Sequence, residues 1–433
     1  MVASTFTPRR VVGTYLTTNT LFTLATSIIW GVNTLFLMDA GLTLFEVMLV
    51  NSTFTVGELI FEVPTGVIAD TIGRKASFLI ASAALFVSTL LYVAAAHYAL
   101  GIWWFVVASV MLGFGFACQT GAVDAWLVDA LDSTGFTQPK ERVFAWGNAA
   151  SNSAMLVGTL AGGFLGQLNL SLPYVVRAGL LVLTFVVTLF MMREIGFEPR
   201  PLKMSSFTRE TRTIFDAGVQ YGWRHKVVRP LLWVSSFVGI FMFFAFYSWQ
   251  RYALDLLGRN YVWIVGVLVA GFSLAGIIGN SLVRRVMKSG EARREAAVVL
   301  AICMACMALL AAGIGVVGIV FNTPGVVPFV IASTLWLVWG FLFGVVMPIR
   351  QAYLNEQIPS AQRATVLSLD SFFGDAGAAA GQPALGWIAQ QVSIPVSWII
   401  GSIFVGLSVP FYNRAARASR EEVASAESVS AGE

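Results

Sequence analysis

Five carboxylates lie inside stretches that are otherwise strongly apolar: Glu58, Glu62, Asp124, Asp370 and Asp375. Asn51, Thr55, Glu58 and Glu62 follow one another at i, i+4, i+7 and i+11, so a helix would carry them on one polar face. Ser371, Asp375 and Gln382 form a second such face, with Asp370 about one turn earlier. Charge is costly inside a bilayer and is kept where it is paired or used. A carboxyl group withdrawn from water can bind and release a proton near neutral pH as its access to water alternates. Glu58 and Asp375 lie nearest mid-run, and Glu62, Asp124 and Asp370 nearer one mouth, where gate contacts are the rival role. Each acid could equally hydrogen-bond a neighbouring helix without titrating. Asn148 and Asn152 add neutral polar groups one turn apart.

The elements that must position these groups are read from composition. Hydrophobic residues make up 57% of the 433, charged residues 12%, and mean hydropathy is +0.77. A soluble domain carries about 25% charged residues, so the chain is expected to be an all-α polytopic membrane protein. Runs near the roughly 20 residues that cross a bilayer occur at 12–38, 43–69, 76–97, 102–130, 143–167, 171–193, 229–256, 261–286, 296–320, 326–349, 364–391 and 394–413. They predict twelve transmembrane helices. The first run is too long for a signal-peptide core and is read as a retained span. Segment 194–228 is the polar linker, and its "TRETRTIFDAGVQYGWRHK" has apolar residues at the spacing of a surface helix. Residues 414–433 carry too little apolar surface to fold and are expected to be disordered.

Orientation follows from the cations. With the N-terminus inside, 24 of the 27 Lys and Arg residues fall in cytoplasmic segments; Arg177, Arg251 and Arg259 are left over. Both termini are therefore expected in the cytoplasm of a cell-membrane protein. The cysteines, Cys118, Cys303 and Cys306, all sit in apolar runs, and there are two histidines, neither in a zinc-binding pattern. No phosphate-binding glycine loop occurs. The expectation is a non-enzyme with no cofactor, no metal site and no nucleic-acid partner, working as a monomer in a lipid bilayer.

The chain also repeats itself. Ala125-Trp126-Leu127-Val128-Asp129 is answered by Ala352-Tyr353-Leu354-Asn355-Glu356, and each is followed by a short loop ending in arginine, Arg142 or Arg363. Two six-helix pseudo-repeats, 1–193 and 229–413, explain this. Between the second and third runs stands "GVIADTIGRK". Gly66, Asp70, Gly73, Arg74 and Lys75 match the cytoplasmic loop signature Gly-x-x-x-Asp-(Arg/Lys)-x-Gly-Arg-(Arg/Lys), with Thr71 where a cation is usual. On these residues the chain resembles the major facilitator superfamily over nearly its full length.

The resemblance implies that fold, and that Asp70 faces the start of the eleventh helix, latching the two halves. Gly66 and Gly73 would permit close approach and a tight turn. Asp129, Arg142, Glu356 and Arg363 would sit at the cytoplasmic gate, with Glu356 and Arg363 able to pair across their loop. In the fifth run, Ala154, Gly158, Thr159, Gly162 and Gly163 resemble the drug–proton antiporter pattern Gly-x-x-x-Gly-Pro-x-x-Gly-Gly, with Thr159 in place of proline. Physically they form a small-residue face for close helix packing, as do Gly374, Gly377 and Gly381 in the eleventh run.

The cavity-lining helices of that family would carry the acids, together with Asn51, Asn148, Asn152, Tyr247 and Trp336. Acids and aromatic rings suit lipophilic, neutral or cationic small molecules. Arg177, on a supporting helix, could extend its head outward. Proton-coupled export of such compounds is the reading these residues favour. Uptake of a neutral or cationic metabolite is its rival, and a sensor or lipid-handling role on the same fold is a third reading.

Overall fold

The computed structural model describes residues 7–197, 199, 219–220, 222–286, 295–321, 323–359 and 362–430. The regular structure among them is helical throughout. Each of the twelve runs is occupied by one helix or by two in succession. The first holds α1 (Pro8–Ser27) and α2 (Asn33–Asp39); α3 (Leu44–Thr71) and α4 (Arg74–His97) fill the second and third. The fourth is divided into α5 (Ile102–Gln119) and α6 (Ala122–Ser133), and α7 (Lys140–Leu168) and α8 (Leu172–Met191) follow. The later runs hold α9 (Val228–Leu257), α10 (Val262–Val286), α11 (Ala296–Val320), α12 (Val326–Glu356), α13 (Arg363–Gln391) and α14 (Ile394–Ser430).

Local chemistry explains the ends. The Thr43 side chain accepts the Glu46 N–H while the Glu46 carboxylate accepts the Thr43 N–H at 2.8 Å, a reciprocal cap that starts α3. Gly121, at φ +75°, lets α6 restart after the break in the fourth run. The first run breaks at 28–32, where tight bonds from Trp30 N–H to Ser27 O and from Val32 N–H to Ile29 O replace the α-helical ladder. α14 does not stop at 413. It continues to Ser430, where a disordered tail was expected, because the Ala, Arg and Glu of this stretch are strong helix formers and extend a helix already nucleated. The expected surface helix in the linker lies mostly outside the described residues.

Among the described residues, nine helices or helix pairs are long and apolar enough to cross a membrane. The first, fifth and eleventh runs fall short of that measure; polar residues such as Thr17, Asn19, Asn152, Ser153, Asp370 and Asp375 lower their mean hydropathy.

The chain divides into two compact units. The first is Met1–Leu202 with Arg259–Ala270, the second Lys203–Gly258 with Gly271–Glu433. The first therefore takes in the opening turns of α10, beyond the boundary read from the sequence. Within the first unit α1 packs on α7 and α8, α4 on α5 and α8, and α3 on α5. Within the second, α9 packs on α13 and α14, and α11 on α12 and α14. These are the same pairings six spans later, so the repeat seen in the sequence is a repeat of packing. Glycines mark it too. A Cβ on Gly113 would stand 2.6 Å from the Glu58 nitrogen on α3, and one on Gly344 would strike the Gly276 carbonyl on α10.

The core of the first unit has two apolar clusters, one around Phe22, Phe78, Leu85 and Trp126, the other around Phe36, Val47, Tyr92, Phe105 and Tyr174. The second unit is built around stacked rings. Trp336 lies 5.0 Å from Trp249, 4.5 Å from Phe272 and 5.5 Å from Trp339, centroid to centroid.

Candidate functional site

The loop between the second and third spans is held by charge. Gly73 takes φ +122°, a conformation that only glycine adopts at little cost, and it turns the chain into α4. One turn apart, Asp70 and Arg74 pair at 2.7 Å, and Arg74 Nε lies 3.9 Å from Asp129 at the foot of α6. Arg74 thus bridges two acids of the first unit. The Lys75 ammonium donates to the Leu189 carbonyl at 2.8 Å. Thr71, which stands where a cation is usual, returns its hydroxyl to the Val67 carbonyl at 2.7 Å. Beyond its own turn of helix, no atom of the described residues lies within 4 Å of where a Gly66 Cβ would stand.

A residue that sequence reasoning missed completes the loop. The Glu194 carboxylate accepts the backbone N–H of Arg74 at 3.2 Å and of Lys75 at 2.9 Å, capping the N-terminus of α4 from the segment after α8. That segment is pinned by Trp126 Nε1, which donates to Arg193 O at 2.7 Å. The available signal was an acid placed directly after the sixth span, beside a run of cations.

The five acids occupy different environments. Glu58 and Asp375 are half-buried, while Glu62 is exposed. Asp124, also exposed, accepts a hydrogen bond from the Tyr15 hydroxyl at 3.1 Å. Asp370 is buried. Its two oxygens accept from Arg350 Nη1 at 2.9 Å and Nη2 at 2.6 Å, and Ser235 Oγ donates to it at 2.5 Å. Arg350 Nη2 also donates to Ser235 Oγ. The Tyr412 hydroxyl lies within electrostatic range of both charges. This cluster joins α9, α12, α13 and α14, and Asp370 is engaged as an ion-pair partner. Arg350 is one of the 24 cations that charge counting places in cytoplasmic segments. The apolar run ends at 349, one residue before it, and only the continuation of α12 to Glu356 places it inside the helix packing.

The small-residue face of the fifth span meets α1. A Cβ on Gly158 would strike the Ser27 hydroxyl, and one on Gly162 would coincide with the Ile28 carbonyl at the start of the first-run break. A Cβ on Gly163 would stand 2.8 Å from the Gly266 Cα, and one on Gly266 2.7 Å from the Thr159 carbonyl, in the opening turns of α10 that belong to the same unit. Ala154 is buried in this seam, and the Thr159 hydroxyl bonds back to Met155 O at 2.9 Å. The second unit repeats the device. Gly377 and Gly381 meet the backbone of Ser236 and Ile240 on α9, and Gly239 meets Gly374 O.

The remaining candidates are scattered. Asn51 accepts from Asn33 Nδ2 at 2.9 Å inside the first unit. Asn148 and Asn152 are exposed on α7, and Tyr247 is half-buried. Trp336 is 1% exposed and belongs to the ring stack of the second unit. Glu356, Arg363 and Arg142 are exposed, and no ion pair joins Glu356 to Arg363 among the described residues. Lys140 and Asp132 close the loop before α7 at 2.6 Å. Arg177 does not extend outward: it is 2% exposed, because its helix turns that face into the packing of the unit. Among the described residues no group of three or more His, Cys, Asp or Glu side chains could hold a metal ion.

Comparison with known proteins agrees with this architecture. The chain is 24% identical over 366 residues to the class B tetracycline resistance protein of Escherichia coli, covering 80% of each. Among solved structures it resembles the POT family transporter PepTSo (TM-score 0.74, 14% identity, 96% of this chain and 99% of that one). It also resembles the nucleoside transporter NupG (TM-score 0.73, 11%, 94% and 98%) and a D-xylose–proton symporter (TM-score 0.68, 13%, 93% and 96%). At these identities the structures speak to fold alone. The profile of the Major Facilitator Superfamily matches residues 15–381. With the loop signature, the packing repeat and this match in hand, the chain belongs to the major facilitator superfamily.

Proposed function

We propose that this transporter couples proton entry to the export of small lipophilic compounds, neutral or cationic, across the cell membrane, with both termini in the cytoplasm. The observation that carries the reading is the accessibility of charge along the spans. The arginines within them are withdrawn: Arg177 is buried, Arg350 is paired with Asp370, and Arg251 is paired with Asp255 at 2.7 Å. The acids Glu58, Glu62, Asp124 and Asp375 are half-buried or exposed. Accessible acids on the spans disfavour anions, accept cations, and offer carriers for protons. Asp370 is set aside as a carrier because Arg350 already engages both of its oxygens.

The tetracycline resistance protein to which the chain is similar supports export, as does the tight α1–α7 seam built from the antiporter-like pattern. The fold neighbours include peptide, nucleoside and sugar transporters, so import of a neutral metabolite is the rival. Accumulation of cationic dyes and tetracyclines in cells with and without the protein, each with and without a protonophore, separates the two. Export lowers accumulation until the protonophore restores it. Raised accumulation in expressing cells would reverse the direction, and no change with any compound would remove the drug-like substrate class.

A further inference from the structure

Arg177 is a full positive charge buried in the first unit, and the ionisable groups that act on it are two tyrosines, Tyr174 and Tyr92. Among the described residues no carboxylate pairs with it. The polar groups around it are contributed by five helices. The Tyr174 hydroxyl on α8 donates to Asn33 Oδ1 on α2 at 2.8 Å, and Asn33 Nδ2 donates to Asn51 Oδ1 on α3 at 2.9 Å. Ser109 on α5 donates to the carbonyl of Val50, the neighbour of Asn51, at 2.6 Å. Tyr92 on α4 lies within electrostatic range of Ser109 and of Arg177. All six side chains of this cluster are buried.

The cluster has an excess of one kind of group. Arg177 Nε, Arg177 Nη2 and Asn51 Nδ2 are buried N–H donors without an acceptor, and no acceptor atom of these six side chains is similarly left over. Buried polar groups are paired in stable proteins, and an uncompensated buried cation is the costliest exception. A neutral hydrogen-bond acceptor would satisfy the donors but leave the charge. A single negative ion satisfies both. Its size is limited by the packing: Phe36 stacks on Tyr174 at 4.0 Å and Tyr92 lies 6.0 Å from Tyr174. A polyatomic dianion would need these rings to part.

We infer that this cluster binds a small monovalent anion, chloride under physiological salt, against the Arg177 guanidinium. The ion is a structural ligand that ties α2, α3, α4, α5 and α8 together at the end of the unit where α2 meets α3 and α4 meets α5. The proposal is independent of what the protein transports, and its test needs no substrate.

The purified full chain in detergent is unfolded thermally in sodium chloride, sodium bromide and sodium gluconate at equal ionic strength. The midpoint is expected a few degrees higher in either halide, rising saturably with halide concentration, because a ligand bound only by the folded state stabilises it by mass action. In Arg177→Met the three salts should give one midpoint. Asn51→Leu, which loses one donor and keeps the charge, should shift the chloride titration to several-fold higher concentration. Equal midpoints for the parent in chloride and gluconate would overturn the proposal. So would a halide response surviving in Arg177→Met or, where that variant does not fold, an unshifted titration in Asn51→Leu.

Discussion

The Glu194 carboxylate accepts the Lys75 backbone N–H at 2.9 Å across 119 residues of sequence. The start of α4 is therefore capped from outside its own hairpin, and the signature loop depends on a residue beyond the sixth span. Glu194→Ala should cost about 1 kcal/mol, the usual worth of an N-terminal cap. Gly73→Ala should cost about 1–3 kcal/mol from its backbone conformation, and more from contact, since a Cβ there would stand 2.7 Å from Glu194 Oε2. In the double variant the contact disappears and the backbone strain stays. Its loss in thermal midpoint should be less than the sum of the singles, and strict additivity would argue against the contact.

Arg350 and Asp370 should behave as a unit. Removing one partner leaves the other charged and buried, a loss of about 3 kcal/mol or more. Asp370→Leu and Arg350→Met should each lower the yield and thermal midpoint of the protein. The double variant should recover part of the loss, because no uncompensated charge remains. A double variant less stable than either single would show that the pair is worth more than its desolvation.

The α1–α7 seam predicts a sharp contrast between glycines. Gly162→Ala must push α7 off the Ile28 carbonyl, and Gly381→Ala must do the same between α13 and α9. Both should abolish transport or folding, since overpacking of a close contact costs about 1–3 kcal/mol and often more. Gly13→Ala has nothing within 4 Å of the new methyl and should be neutral. The readouts are the monodisperse fraction on size exclusion and substrate efflux. Normal behaviour of Gly162→Ala would mean that the seam is loose.

Proton coupling is tested at Glu58 and Asp375. Glu58→Gln and Asp375→Asn preserve shape while removing titration. In proteoliposomes under an imposed pH gradient, uphill efflux should be lost in at least one of them, and downhill substrate exchange should survive in both. Two variants that pump like the parent would move the coupling role to Glu62 or Asp124.

What the sequence made legible was set by composition and by contiguous motifs. Spans show as apolar runs, so most helix ends were readable to within a few residues, while α12 and α14 run on past the ends that composition marks. Gly158 and Gly162 four apart announced a close seam, though not that α1 fills it. The Arg350–Asp370 pair was not readable. Its members are 20 residues apart on different spans, and an arginine near a span end looks like a surface anchor until its helix is seen to run on to Glu356. Arg177 failed for a related reason. Periodicity places a residue on a face, but whether that face meets lipid or another helix depends on packing. Glu194 lies in a stretch with no periodic pattern to interpret.

The length of α14 has a practical consequence. Its 37 residues rise about 56 Å at 1.5 Å per residue, while the hydrocarbon layer is about 30 Å thick. The excess leaves the bilayer as a continuous rod, and Arg420 on that rod reaches Glu295, just before α11, at 3.1 Å. A soluble domain fused in helical register after Ser430 should inherit the orientation of the transporter and not swing on a tether. That would supply a rigid fiducial for imaging a protein whose membrane-embedded mass offers few features to align.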